Sequence, residues 1–422
     1  MSNLPSSAPN DWPLSTADDA DDIALRSSGK TPYIARGTPQ FMRVTLALFS
    51  AGLATFALLY CVQPLLPVLS QDFGISPATS SLSLSVSTVM LAFGLLFTGP
   101  LSDTIGRKNV MVVSLMLAAL CTVICAFMTS WNGILIMRAM IGLSLSGVAA
   151  VAMSYLSEEI HPSVLAFSMG LYISGNSIGG MSGRLVSGVL TDYFPWRVAI
   201  GTIGVLALIA AITFWRILPE SRHFRPGSLR PKTLLLNSKL HWRDAGLPLL
   251  FLQGFLLMGA FVTLFNYIGY RLLAPPYLLS QAVVGLLSVV YLTGSYSSPK
   301  AGALTARYGR GPVLSISILL MLTGLGITAL TPVFAIFGGM MLFTAGFFAA
   351  HSVASSWIGQ RARRAKGQAS SMYLFSYYLG SSLAGTLGGF FWHSFGWTGI
   401  TVFLSALLLL ALGVSLILKK RL

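Results

Sequence analysis

Gly99-Pro100-Leu101-Ser102-Asp103-Thr104-Ile105-Gly106-Arg107-Lys108 stands between two long apolar runs. A weaker copy, Gly302-Ala303-Leu304-Thr305-Ala306-Arg307-Tyr308-Gly309-Arg310, follows at an offset of 203 residues. Glycine, leucine, glycine and arginine keep their places, while Ala306 stands where the first copy has Asp103. Glycines permit a tight turn, and an aspartate and an arginine in it can pair and also meet helix ends. One polar turn repeated at nearly half of 422 residues reads as two apolar half-chains of common design.

Composition fixes the solvent of those half-chains. Hydrophobic residues make up 54% and charged residues 9%, against about 25% charged in a water-soluble domain. The chain reads as an all-α polytopic membrane protein. A net charge of +15 could suggest a nucleic-acid partner, but the basic residues gather in alternate loops, as membrane orientation requires. No nucleic acid is expected. Cys61, Cys121 and Cys125 all fall inside apolar runs and read as packing residues, with no disulfide framework, metal or cofactor.

Residues 1–40 carry Ser, Pro and the acidic run Asp18-Asp19-Ala20-Asp21-Asp22, and read as a disordered tail rather than a signal or transit peptide. Twelve apolar spans follow. Six lie in 41–218, at about 42–66, 80–101, 110–128, 132–154, 164–188 and 197–218. A basic linker, 219–245, separates them from six in 246–422, at about 247–271, 281–301, 312–331, 333–357, 368–391 and 397–418. With both termini placed in the cytoplasm, all of the 27 Lys and Arg except Arg138, Arg184, Arg197 and Arg271 fall in cytoplasmic segments. The opposite orientation would reverse the positive-inside bias.

The duplication reaches beyond the turn: at the same offset Gln63 answers to Asn266 and Met169 to Met372. Spans 5 and 11 carry glycine-rich faces, Gly175-Asn176-Ser177-Ile178-Gly179-Gly180 and Gly380-Ser381-Ser382-Leu383-Ala384-Gly385, which suit either tight packing or a moving helix contact.

These residues resemble the major facilitator superfamily across about 40–418. Gly99-x-Leu-Ser-Asp103-x-x-Gly106-Arg107-Lys108 is similar to its loop motif between helices 2 and 3. Arg138-Ala139-Met140-Ile141-Gly142 resembles its helix-4 arginine motif, with Ile141 in place of the usual glutamine. Gly175-Asn176-Ser177-Ile178-Gly179-Gly180 resembles the helix-5 motif of antiporters, with Asn176 where that motif has proline. Tyr60-Cys61-Val62-Gln63-Pro64-Leu65-Leu66-Pro67 is similar to the helix-1 end of bacterial exporters of the acriflavin-susceptibility and arabinose-efflux group. The resemblance implies two pseudo-symmetric six-helix bundles in the bacterial inner membrane, working as a monomer. It also implies proton-coupled efflux of small organic compounds, drug-like molecules or metabolites such as sugars.

In the family, the set Gly99, Asp103, Gly106, Arg107, Glu158, Glu159 and Arg310 implies a cytoplasmic latch that holds the outward-open state; a static ion pair is the plainer alternative. An arginine inside a span costs about 2.5–3.5 kcal/mol on insertion scales, so Arg138 is expected to face a cavity or a partner. Arg184 lies nearer the outer end, with Asp192 beyond it, and is expected to snorkel or pair there. His351 could carry a coupling proton, because histidine titrates near neutral pH. No acidic residue lies in the middle of a span. With Arg138, Arg184 and His351 as the ionisable groups inside, a cavity would favour anionic or neutral polar solutes over cations. Tyr60, Gln63, Asn266, Tyr267 and Tyr270 on spans 1 and 7 offer hydrogen bonds beside aromatic faces, as a small-molecule site needs. Inward transport of an anionic metabolite held by Arg138 is the alternative. A membrane-embedded enzyme is the remote one, since no His, Asp and Glu cluster at catalytic or metal-ligand spacing exists.

Overall fold

The computed structural model describes residues 33–224, 231–362 and 364–421. Residues 1–32 of the expected tail and 225–230 of the expected linker lie outside the described residues.

Nine helices among the described residues are long and apolar enough to cross a membrane. One of them, Lys366–Arg421, is two helices joined at Gly396, whose φ of 55° and ψ of −141° are non-helical. Span 5 (Pro162–Tyr193) and span 8 (Gln281–Leu286, a 3-10 turn Leu287–Val290, then Tyr291–Tyr308) complete twelve. Span 1 is Pro39–Tyr60, a 3-10 turn Gln63–Leu65, and Leu66–Phe73. Spans 2, 3, 4 and 6 are Pro77–Ile105, Arg107–Cys125, Trp131–Glu159 and Trp196–Ile217. Spans 7, 9 and 10 are Leu247–Leu273, Arg310–Thr328 and Val333–Arg361, and helix Pro231–Arg243 lies in the linker. The result is an all-α fold of two six-helix bundles. Both have their polar turn at one end, here called the basic end; the opposite end is the far end.

Local signals start and stop these helices. Ser76, Ser130 and Ser280 cap spans 2, 4 and 8, their hydroxyls accepting from the amides of Thr79, Gly133 and Val283. The two turns share a backbone as well as a sequence: Gly106 has φ 105° and Gly309 φ 79°, a region that only glycine enters without strain. The glycine faces resolve as packing within each half. Gly175 and Gly179 press span 5 onto the backbone of Phe49 and Leu53 in span 1, and Gly380 presses span 11 onto Phe255 in span 7.

Residues 33–38, expected within the tail, are docked at the basic end. The Ile34 amide donates to the Glu159 carbonyl (2.8 Å), the His161 amide donates to the Ile34 carbonyl (3.1 Å), and the Ile34 side chain is buried. Paired backbone groups and a buried side chain hold this stretch, which composition alone assigned to the tail.

Candidate functional site

The site begins at the break in span 1. The last carbonyls of a helix have no partner within it, and Pro64 cannot donate to extend the run. Arg138 supplies the missing donors. Its Nη1 and Nη2 bond the carbonyls of Leu58 (2.9 Å) and Leu59 (2.6 Å), and its Nε bonds the Ser83 carbonyl (2.8 Å). The residue is 1% exposed. All three nitrogens are therefore spent on tying span 4 to spans 1 and 2, which differs from the expected solute contact. Two of these bonds, to Leu58 and Leu59, replace backbone partners that the break removes.

Arg184 departs from expectation in the other sense: it neither snorkels nor pairs with Asp192. It is 3% exposed, with Nε on the Gln63 side-chain oxygen (2.6 Å) and Nη1 on the Gly180 carbonyl (2.6 Å). Its guanidinium lies 4.2 Å from the Tyr60 ring, 4.8 Å from Tyr291 and 5.8 Å from Phe265. A pocket opens beside it, lined by Gln63, Pro64, Phe265, Ile268, Leu287 and Ser288 among others. Asp192 instead accepts from the amides of Gln281 (2.7 Å) and Ala282 (3.0 Å) at the start of span 8, where a helix favours an anion.

These contacts belong to a seam between the halves. Gln63 donates to the Asn266 side chain (2.6 Å) and more weakly to the Val262 carbonyl (3.4 Å). Tyr270 donates to the Leu66 carbonyl (2.9 Å) and meets the Ser70 hydroxyl (2.6 Å). Tyr267 donates to the Gly385 carbonyl of its own half (2.7 Å). Ser85 donates to the Ser382 carbonyl (3.0 Å), and Ser288 to that of Met181 (3.0 Å). Gly188 and Gly285 bring spans 5 and 8 into backbone contact; a Cβ on Gly188 would stand 2.7 Å from the Gly285 Cα. Among the described residues, every hydrogen bond across the seam lies in its far half or near its middle. The ring pair Phe93–Phe375 (5.4 Å) is the deepest aromatic contact toward the basic end.

From Arg184 an aromatic path runs through the second half. Tyr291 meets Phe261 at 5.5 Å, Phe261 stacks on Phe347 at 3.8 Å, and Phe347 stacks on His351 at 5.9 Å. His351 Nδ1 shares a hydrogen bond with the Tyr373 hydroxyl (2.9 Å), and the Tyr377 ring lies 4.8 Å away. Sequence reading did not single out Tyr291, Phe261, Phe265 or Phe347, because aromatic residues are common in spans and their convergence is a tertiary fact.

At the basic end Arg107 is held by two carboxylates, Asp103 (2.5 Å) and Glu158 (2.6 Å), with its Nε also facing Glu158 (3.1 Å). Its Nη1 reaches the Ser102 hydroxyl as well (2.5 Å). A Cβ at Gly99 would meet open space, so close packing does not explain that glycine. Glu159 does not join the set. It is fully buried and accepts from the amides of Arg222 (2.7 Å) and His223 (2.9 Å), closing the start of the linker. Neighbours on a helix point about 100° apart, so Glu158 and Glu159 cannot both face Arg107.

The second half lacks this arrangement. By the repeat, Arg310 stands for Arg107, Ala306 for Asp103 and Arg361 for Glu158. Arg310 makes no hydrogen bond or ion pair with a described residue, and Arg361 pairs with Asp244 of the linker. Asp244 also accepts from the amides of Gly246 and Leu247 (2.8 Å each). Partial burial works against its charge, but the Arg361 guanidinium and the two amides outweigh it and hold the carboxyl below the ordinary range.

Two bundles meeting on a pseudo-twofold seam, with a polar and aromatic centre and a charged turn at one end, define a membrane carrier rather than an enzyme. The chain belongs to the Major Facilitator Superfamily, whose family model matches residues 46–277 and 256–421. It is 70% identical over 390 residues to the inner membrane transport protein YnfM of Escherichia coli (strain K12), covering 92% of this chain and 94% of that protein. An uncharacterized MFS-type transporter of Bacillus subtilis (strain 168), YybF, is 46% identical over 383 residues, covering 91% and 95%. Among solved structures, a bacterial homologue of the human lysosomal transporter Spinster, inward-facing and occupied, shares the fold with a TM-score of 0.74. Its identity is 13%, over 92% of this chain and 98% of that one.

Proposed function

We propose that this transporter is a monomeric, proton-coupled exporter that carries small organic solutes across the bacterial inner membrane by alternating access. In this reading the basic end and both termini face the cytoplasm, in keeping with the loop charges. The observation that carries it is the one-sided seam. The Gln63–Asn266, Tyr270–Ser70 and Asp192–span 8 contacts close the far end, so a solute reaches the centre from the basic end. Release requires those contacts to break while the basic ends approach. Asp103 is the residue placed to act then: its side chain is 45% exposed and its ion pair is with Arg107. This supports the latch for Asp103, Arg107 and Glu158, with Glu159 fastening the linker instead.

Arg184, Tyr60 and Gln63 are the solute-facing residues in this reading, with Asn266 and Tyr270 as gate residues and Arg138 as the clamp of the span 1 break. Outward flux follows the resemblance of Tyr60–Pro67 to bacterial exporters. His351 is the proposed coupling group; the side chains it touches, Phe347, Tyr373 and Tyr377, are uncharged. Purified protein in vesicles tests the reading. An imposed pH gradient should drive solute movement, and the solute should in turn move protons. Solute movement that ignores the gradient excludes proton coupling, and no movement of any candidate excludes the carrier function.

A further inference from the structure

We infer that Arg184 is the binding point for the acidic group of a planar organic acid, an inference that rests on the carrier reading above and names its solute class. Three arginines of the first half are satisfied in different ways. Arg107 has two carboxylates, and Arg138 has a carbonyl for each nitrogen. Arg184 is almost as buried as Arg138, yet the oxygens it meets at 2.6 Å, of the Gln63 amide and the Gly180 carbonyl, are both neutral. Among the described residues no carboxylate pairs with it, and Asp192, the nearest acid along its helix, is engaged by span 8.

A buried charge without a counter-charge is costly. The rings of Tyr60, Tyr291 and Phe265 recover part of that cost through their π faces, but they leave the net charge in place. An anion would remove it. The surroundings offer apolar contacts for the rest of such a solute: walls at Phe265, Ile268 and Leu287, with the rings of Tyr60 and Tyr291 beside the guanidinium. These suit a flat, apolar body attached to a carboxylate.

The same geometry couples binding to the seam. Gln63 gives its oxygen to Arg184 and its nitrogen to Asn266 of the other half. A carboxylate is the stronger acceptor for a guanidinium, so an arriving acid displaces the Gln63 oxygen and frees the residue that bridges the halves. An amine or amidine would meet Arg184 as a like charge.

The test is equilibrium binding to purified full-length protein, using benzoate and 2-naphthoate beside their neutral amides and cationic amidines. The acids should bind tighter than the amides by about tenfold or more, with the amidines weaker still. Arg184→Gln should erase the difference and Arg184→Lys should keep part of it. If the glutamine variant does not fold, the lysine variant and the wild-type series still decide. Amides or amidines that bind as tightly as the acids, or acids that fail to bind, overturn the inference. Transport of other solutes without charge preference would leave the carrier reading standing while this one falls; acid binding at Arg184 without translocation would do the reverse.

Discussion

Gln63 and Asn266 stand 203 positions apart, the offset of the internal repeat, and hydrogen-bond each other at 2.6 Å. Residues related by a twofold axis touch only where they lie close to it. The pair therefore marks where the axis passes through the seam, at the break in span 1. Arg184 is bound to one member of the pair, so the buried charge sits next to that axis.

Gly188→Leu should wedge that seam. Its side chain would collide with the Gly285 Cα and the Gln281 carbonyl, 2.7 and 2.8 Å from the new Cβ. The far end is expected to stay open, and a single cysteine at Ser288, in a background without Cys61, Cys121 and Cys125, should react several-fold faster with a polar thiol reagent. Unchanged reactivity would mean that spans 5 and 8 are not a gate.

Arg138→Ala should act on stability before transport. It strips donors from three buried carbonyls, at a cost of about 3 kcal/mol or more. Thermal unfolding in detergent should show a drop of many degrees. A variant of normal stability that has lost solute binding would return Arg138 to the solute site.

The two acids on Arg107 should separate by readout. Asp103→Asn removes a pair whose acid is 45% exposed, worth about 1 kcal/mol or less, and should impair transport with little change in unfolding. Glu158→Gln removes the less exposed, doubly bonded acid and should cost about 2 kcal/mol as well. Equal transport by wild type and Asp103→Asn would reduce the turn to a structural ion pair.

Asp244 gives a pH dependence. Its carboxyl is held below the ordinary range, so its contribution to stability is present above the unfolded value, about pH 4, and is lost as pH falls through the lower folded value. Protection factors for hydrogen exchange at the amides of Gly246 and Leu247, which donate to Asp244, should fall over that acid window and at neutral pH in Asp244→Asn. Protection unchanged by either would show that the start of span 7 is held some other way.

The spans and the repeat were legible because bilayer length, loop charge and turn glycines are local signals. The positive φ of Gly106 and Gly309 realises one of them directly. Neighbours were harder to read. Arg138 and Arg184 look alike in sequence as lone cations within apolar runs, and only packing makes one a clamp on carbonyls and the other a charge without a counter-ion. Glu158 and Glu159 show the converse: helical geometry separates adjacent side chains, and that signal was present in the sequence. The docking of Ile34 could not be seen, because its partners, Glu159 and His161, lie over a hundred residues away.

Alternating access is tested most directly by pairs of spin labels in lipid nanodiscs, one across each end. Gln71 and Leu278 report on the far end, Thr104 and Ser370 on the basic end; all four are exposed. A short far-end distance should coincide with a long basic-end distance in the state described here, and a change of pH or added solute should populate the reverse pattern. Two distances that stay fixed under every condition, or that lengthen together, would contradict a carrier that opens one side at a time.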